Sequence, residues 1–344
     1  MKTPKELGYF FPAEWYKHKA TWLSYPHNEN SWPEKINTIF PYYNCFIKAI
    51  ANEEEVNIIV TNSSMKEKVE KELMLLEANM KNIHFHIFKT DDAWMRDCGP
   101  SFIINQTKKE KAIVNWQYNA WGGKYPCSND NNIPLFVAEK ENIVVFSPNI
   151  VMEGGSVDFN GKGSLITTEN CLLNKNRNPQ LKKEEIEEKL ISYYGVENII
   201  WLKEGIEGDD TDGHVDDITR FVNEDTIVSV IEEDKTHNNY KALKNNMDIL
   251  SKARLENGKQ ANIVPLPMPD DVVWDDQILP ASYANFYIAN NIVVVPVFNC
   301  KKDNKAIYTL EECFKDRKVI GIDSTEIIWG LGSFHCLSQQ EPSV

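Results

Sequence analysis

The feature that most constrains this chain is a strand-turn-strand pattern that recurs four times along it. Strands expected over 102–104 and 112–116 form the first copy, followed by 156–159 with 164–168, 218–222 with 226–231, and 285–288 with 292–298. The copies start at 102, 156, 218 and 285, spaced by 54, 62 and 67 residues. After each hairpin comes a helix-compatible or loop stretch and then a short apolar strand. In 182–194, Ile186, Leu190, Ile191 and Tyr194 recur at helical spacing ahead of a strand over 198–202. The same order holds for 239–255 before 261–266, and for 310–314 before 318–322. Near the start, helices over 36–51 and 65–80 lead into strands over 56–60 and 83–88. One such ββαβ unit cannot bury both of its faces alone and needs neighbours. Four or five units predict one closed, propeller-like α/β domain over 1–344, although length alone suggests about two domains.

Composition narrows what such a domain can do. Hydrophobic residues are 42% and charged residues 26%, an ordinary globular balance. With 37 Lys+Arg against 51 Asp+Glu the net charge is -14, which argues against a nucleic-acid partner and suits a small cationic one. No apolar run approaches the ~20 residues that span a bilayer, and the first eleven residues lack the apolar core of a signal peptide. Seven cysteines without paired spacing do not make a disulfide framework. A cytoplasmic protein with reduced thiols is expected.

The unusual residues fall just ahead of the hairpins. Trp94-Met95-Arg96-Asp97 precedes the first, Met152-Glu153-Gly154-Gly155 the second, and Asp209-Asp210-Thr211-Asp212-Gly213-His214-Val215-Asp216 the third. Gly330 to Cys336 occupies a comparable place before an expected last strand. In a closed ring these points converge on the axis. A guanidinium is planar, permanently cationic and a poor electrophile. Two carboxylates can fix its plane, a thiolate can attack its carbon, and a histidine can protonate the leaving nitrogen and then activate water. Asp97, Asp216, Cys336 and His214 match those four roles. Blander readings stand beside them: an Asp97–Arg96 ion pair, a structural hydrogen bond within His214-x-Asp216, and Glu153 as a turn cap. Cys45, Cys171, Cys300 and Cys313 read as small buried hydrophobes, and nothing beside Cys98 or Cys127 suggests an activated thiol. A metal site competes weakly. His84 and His86 share a strand face and His335 adjoins Cys336, but no third ligand stands at useful spacing. On a strand, His335 and Cys336 would point to opposite faces.

These motifs, with Phe11-Pro12-Ala13-Glu14-Trp15, Asp91-Asp92-Ala93-Trp94, Asn119-Ala120-Trp121-Gly122-Gly123 and Gln339-Gln340-Glu341-Pro342, resemble those of the agmatine deiminases over nearly the whole chain. That family belongs to the guanidine-modifying superfamily and is related to bacterial peptidylarginine deiminases. The resemblance implies a five-bladed α/β propeller (the pentein fold) with pseudo-fivefold symmetry, no metal or organic cofactor, and a dimer or larger oligomer. It implies hydrolysis of agmatine to N-carbamoylputrescine and ammonia through an amidino-cysteine, a step in making putrescine. Cys336 would be the nucleophile and His214 the acid/base. Asp97 and Asp216 would hold the guanidinium, and Glu153 would orient His214 or a substrate nitrogen. Trp94 and Trp121 would wall the slot, with Asp92 and Asp210 helping to bind. One departure is that Leu331 interrupts the family's glycine run before the cysteine. Peptidyl-arginine or free arginine are alternative substrates, and Arg96, Lys124 and Arg177 are the cations that could meet a free α-carboxylate. A non-catalytic pentein that binds a macromolecule is the alternative of a different class, and a cysteine protease is a weaker one.

Overall fold

In the computed structural model, which describes residues 2–344, each expected hairpin is present and is extended by a third strand. Ser101–Asn105 pairs antiparallel with Glu110–Val114, which runs parallel to Val144–Phe146. The second sheet repeats this with Val157–Phe159, Ser164–Thr168 and Asn198–Leu202. Thr219–Phe221, Thr226–Ile231 and Asn262–Pro267 make the third, and Tyr287–Ile288, Ile292–Val297 and Lys318–Asp323 the fourth. Parallel neighbours cannot be joined by a tight turn, so a helix spans each crossover: Ile133–Glu141, Lys183–Tyr194, Asn239–Leu250 and Asp303–Cys313. The second strand of each hairpin is therefore the middle of its sheet, and Ser164–Thr168 is buried throughout.

A fifth sheet joins the two chain ends. Ser338–Pro342 lies antiparallel to His18–Ser24, with Leu23 opposite Ser338, and parallel strands Glu55–Val60 and Ile83–Ile87 follow. The expected last strand is thus the first strand of a unit completed by the N-terminus. Among the described residues, the strands form five separate sheets and one small hairpin, Val273–Trp274 with Gln277–Ile278.

Three helix bounds differ from the apolar periodicity, the helix expected over 65–80 running Ser63–Leu75 with a separate turn at Met80–Asn82. The helix from Asn239 stops at Leu250 rather than at 255, and Asn257-Gly258 then turns the chain, with Gly258 at φ 76° and Arg254 bridged to Gln260. The helix before the fourth sheet's last strand starts at Asp303 rather than at 310, its first turn being polar on the outside while Ala306 and Leu310 face inward. Three apolar clusters fill the spaces between sheets, around Trp22 and Phe46, around Phe221 and Phe286, and around Phe11, Phe159 and Tyr194.

A polar network is buried among them. Fully buried Arg220 donates to Asp158 at 2.5 Å, to Glu14 at 2.6 Å and to the carbonyls of Ala284 and Phe286, so a cation out of water has its partners. Of the cysteines read as core, Cys171 is buried, whereas Cys45 is exposed and Cys300 and Cys313 are half-buried. The His84/His86 pair is no ligand set: His86 stacks on Trp22 at 4.9 Å and bonds Asn57, while His84 faces Glu55 at the surface. Among the described residues no helix is long and apolar enough to cross a membrane.

Candidate active site

Each sheet's first strand is entered through a short turn, and these turns carry the chemistry. The turn Met95–Cys98 presents Asp97, Gly154–Ser156 follows Glu153, and Val215–Asp217 follows His214. Cys336 sits in the turn before Ser338–Pro342. Gly155 is the point on which three of these groups close. A Cβ there would lie 2.7 Å from His214 Nδ1, 2.8 Å from Asp97 Oδ1 and 3.0 Å from Asp216 Oδ2. Only a residue without a side chain leaves them that near one another, and its N–H donates to Asp97 Oδ1 at 2.9 Å. His214 Nδ1 is 3.7 Å from Asp97 Oδ1 and 4.0 Å from Asp216 Oδ1. Cys336 Sγ is 3.7 Å from Asp216 Oδ2. Glu153 and His214 offer atoms within 4.8 Å of each other. The five residues expected to be catalytic are therefore brought together, all of them buried.

Burial sets their protonation, and neighbours then pull them apart. It pushes His214 down to about 3, so the imidazole is neutral at pH 7. Burial, then Asp216 and Glu153, push the Asp97 carboxyl well above its usual range. Burial would raise Asp216 as well, but the hydrogen bond and charge of His335, with His214 and Arg220, hold it low. The Cys336 thiol is pushed well up by burial and by Asp216, Asp217 and Asp97. Acids separated in this way can divide acid and base roles between them. Both ring nitrogens of His214, Oδ1 of Asp216 and Oε2 of Glu153 have no hydrogen-bond partner among the described residues, although all are buried. Unmet buried polar atoms are expensive, and these four belong to residues next to Asp97 and Cys336.

A cavity of about 300 Å³ opens onto Cys336 and Asp97, with Trp94 and Trp121 as walls and Asp92 and Asp210 in its lining. Trp94 is braced by stacking on Trp32 at 5.2 Å. Trp121 is placed by a left-handed turn, with φ of 52°, 54°, 97° and 82° over Ala120, Trp121, Gly122 and Gly123. Two non-glycine residues in that region carry on the order of 1–2 kcal/mol of strain each, and the turn delivers the Trp121 Nε1–H to Asp97 Oδ2 at 2.9 Å. Asp92 accepts from Ser31, Asn28 and the Ala93 N–H. Asp210 accepts from Tyr125 at 2.8 Å and Lys124 at 3.3 Å, so both carboxylates have protein partners at the cavity. Leu331, where a glycine run was interrupted, holds the left-handed φ of 70° that glycine takes freely, and its side chain lines the cavity.

Against this geometry the comparisons with known proteins are specific. A family profile described as Porphyromonas-type peptidyl-arginine deiminase matches residues 10–342. The chain belongs to that family. Among other members of the deiminase group, a protein of Mycoplasma capricolum subsp. capricolum, provisionally named an agmatine deiminase, is 36% identical over 363 residues, covering 99% of this chain and 98% of its own. The solved agmatine deiminase of Enterococcus faecalis is 31% identical with a TM-score of 0.94, covering 100% of this chain and 98% of that one. A cysteine-to-serine variant of the C. jejuni agmatine deiminase with substrate bound is 32% identical with a TM-score of 0.88, over 97% and 96% of the two chains. The fold is the mixed α/β fold of these deiminases.

Within this deiminase-family site the structure corrects two expectations and adds one observation. His335 and Cys336 do not alternate across a strand: both lie in a turn, and His335 Nδ1 meets the same Asp216 Oδ2 at 2.6 Å while its Nε2 meets Glu14 at 2.8 Å. The candidate cations for an α-carboxylate are engaged elsewhere. Arg177 is buried against Glu153 at 2.7 Å and Asp212 at 2.5 Å, Arg96 bonds Gln340 at 2.7 Å, and Lys124 pairs with Asp210 and Asp212. Two triplets that linear spacing did not show, Glu153/Cys171/His214 and Asp216/Asp217/Cys336, offer donor atoms within 4.8 Å of one another. Glu153 Oε1 in the first is taken by Arg177, and Asp217 Oδ1 in the second by Asn285.

Sequence reasoning missed Asn285, Asp217 and the His335–Glu14 link. Asn285 was expected as the first residue of a strand over 285–288; that strand begins at Tyr287, which leaves Asn285 just ahead of the fourth hairpin, the place where the other four sheets carry their functional turns.

Proposed function

We propose that this chain hydrolyses agmatine to N-carbamoylputrescine and ammonia, as a single five-bladed α/β propeller with its active site on the central axis. The observation that carries the substrate choice is the cavity lining, which holds Asp92, Asp97 and Asp210 and, among the described residues, no lysine or arginine. Such a pocket suits a molecule cationic at both ends and without a carboxylate. Free arginine would bring an α-carboxylate toward Asp92 and Asp210, with no lysine or arginine in the described lining to meet it. The names of the E. faecalis and C. jejuni relatives support the same substrate.

Asp97 and Asp216 grip the guanidinium N–H edges, and the unpartnered Asp216 Oδ1 and Glu153 Oε2 take further N–H groups. The bound cation offsets the carboxylates that hold the Cys336 thiol up, so its proton can pass to neutral His214. The thiolate forms a bond to the guanidinium carbon. His214 returns the proton to one terminal nitrogen, which leaves as ammonia and yields an amidino-thioether. His214 then takes a proton from water, whose oxygen attacks the same carbon. The C–S bond breaks and the hydroxyl proton is lost to solvent, which gives the ureido product, and the proton on His214 returns to the Cys336 thiolate. Trp94 and Trp121 present aromatic faces to the cation. A cytoplasmic setting is consistent with seven cysteines that are all free.

Purified protein is offered agmatine, free arginine and an arginyl peptide separately, with a ureido-specific colour test and Cys336→Ala as control. Turnover of agmatine alone, abolished in the variant, is expected. Near wild-type turnover in Cys336→Ala removes the nucleophile assignment, and preference for arginine or the peptide removes the substrate assignment.

A further inference from the structure

Asn285 is fully within the protein, 1% exposed, and all four hydrogen-bonding capacities of its side-chain amide are used. Its Oδ1 faces two backbone N–H groups, those of His335 at 3.1 Å and Cys336 at 3.3 Å. Two donors can only meet an acceptor, so the opposite end is the NH2 group. That group donates to Asp217 Oδ1 at 2.8 Å and to Cys336 Sγ at 3.0 Å. The amide thus grips the turn that carries the cysteine with one end and touches its sulfur with the other. Among the described residues it is the one side-chain donor to Sγ. The other groups that bear on the sulfur are the carboxylates Asp216, Asp217 and Asp97, which oppose a negative charge there.

A thiol sulfur is a weak acceptor and a thiolate a strong one, so a donor fixed at that distance favours the charged form. Resting on the reading of Cys336 as nucleophile, we propose that Asn285 is a further catalytic residue, whose amide N–H holds the Cys336 thiolate before attack and receives it again as the carbamoyl product leaves. Asp217 is a positioning residue in this arrangement, since its Oδ1 fixes which way the amide hydrogens point. The fourth sheet, which otherwise supplies nothing to the reaction, then contributes at the same entry turn as the other four.

Asn285→Asp keeps the size and the acceptor for both backbone N–H groups but removes the donor to sulfur. The probe is iodoacetamide, a small neutral alkylating agent, applied to substrate-free protein across pH, with modification at Cys336 followed by mass spectrometry. In the variant the alkylation midpoint is expected at higher pH, and the rate at neutral pH about 10-fold lower or more. With agmatine, kcat is expected to fall about 10²–10³-fold, the loss typical of one donor to a developing charge, with KM changed far less. Asn285→Ser, which is too short to reach the sulfur, serves as the second variant if the aspartate does not fold, with the same expected shift. An alkylation profile matching wild type in a folded variant overturns the proposal. Alkylation needs no turnover, so this failure is distinct from that of the deiminase reading, which is decided by turnover of agmatine over arginine and the peptide and by its loss in Cys336→Ala.

Discussion

Replacing Gly155 by alanine tests the whole construction of the site with one methyl group. The backbone there is not in the left-handed region, so alanine is free to adopt it. The added Cβ would stand 2.7, 2.8 and 3.0 Å from His214 Nδ1, Asp97 Oδ1 and Asp216 Oδ2, where ordinary contact begins near 3.4 Å. Each group must retreat by roughly half an ångström, and all three are buried with packed neighbours. A misplacement of ~1 Å at a reacting group can lower rates about 10²-fold, so half of that predicts a kcat/KM for agmatine about 10- to 100-fold lower, or roughly 1.4–2.7 kcal/mol of transition-state stabilisation. Overpacking should cost about 1–3 kcal/mol of stability, which lowers the melting temperature without unfolding the protein. The assay is ureido product formation against agmatine concentration, beside a thermal melt. A folded Gly155→Ala enzyme within threefold of wild-type kcat/KM would refute the claim that these three side chains act together around this glycine.

Further outcomes are expected. Asp97→Asn should lower kcat/KM by more than the change in KM explains, because the carboxylate fixes geometry as well as binding; unchanged kinetics would remove Asp97 from the site. Trp121→Phe keeps the aromatic wall but removes the 2.9 Å donor to Asp97, so kcat/KM should fall about 10-fold or more, the worth of a hydrogen bond to a charged group; full activity would make the strained turn a matter of shape alone. His214 is held neutral by burial, down to about 3 in the folded protein, while the unfolded chain titrates near ~6.5. Between those values only the unfolded state binds the proton, so stability is lost as pH falls from about 6.5 toward 3, by on the order of 4–5 kcal/mol at most. Melting temperatures of wild type should therefore drop more steeply over that window than those of His214→Asn. Parallel curves would show that His214 is not buried neutral.

Much of this molecule is legible from local pattern, because strand alternation and helical spacing are short-range properties. Helix Ile36–Ala51 and strand Asn198–Leu202 occupy the expected residues. The functional turns announce themselves because glycines and acids are crowded where a strand is about to start. The fifth sheet was not read as a unit, since its first strand lies at one end of the chain and its second at the other, with His18 opposite Pro342.

What the sequence by itself determined is the repeating ββαβ unit, the entry turns and the chemical kinds of group they carry, each encoded within a few neighbouring residues. What only the tertiary structure decided is which groups meet. Glu153 is neutralised by Arg177, Asp216 is steadied by His335, which also meets Glu14, and the nucleophile's sulfur is met by Asn285. None of these pairs shares an element, and each depends on which turns the packing of separate sheets brings face to face. Hydrogen bonds and charge interactions act over a few ångströms of space rather than along the chain, so protonation at this site is set by the fold.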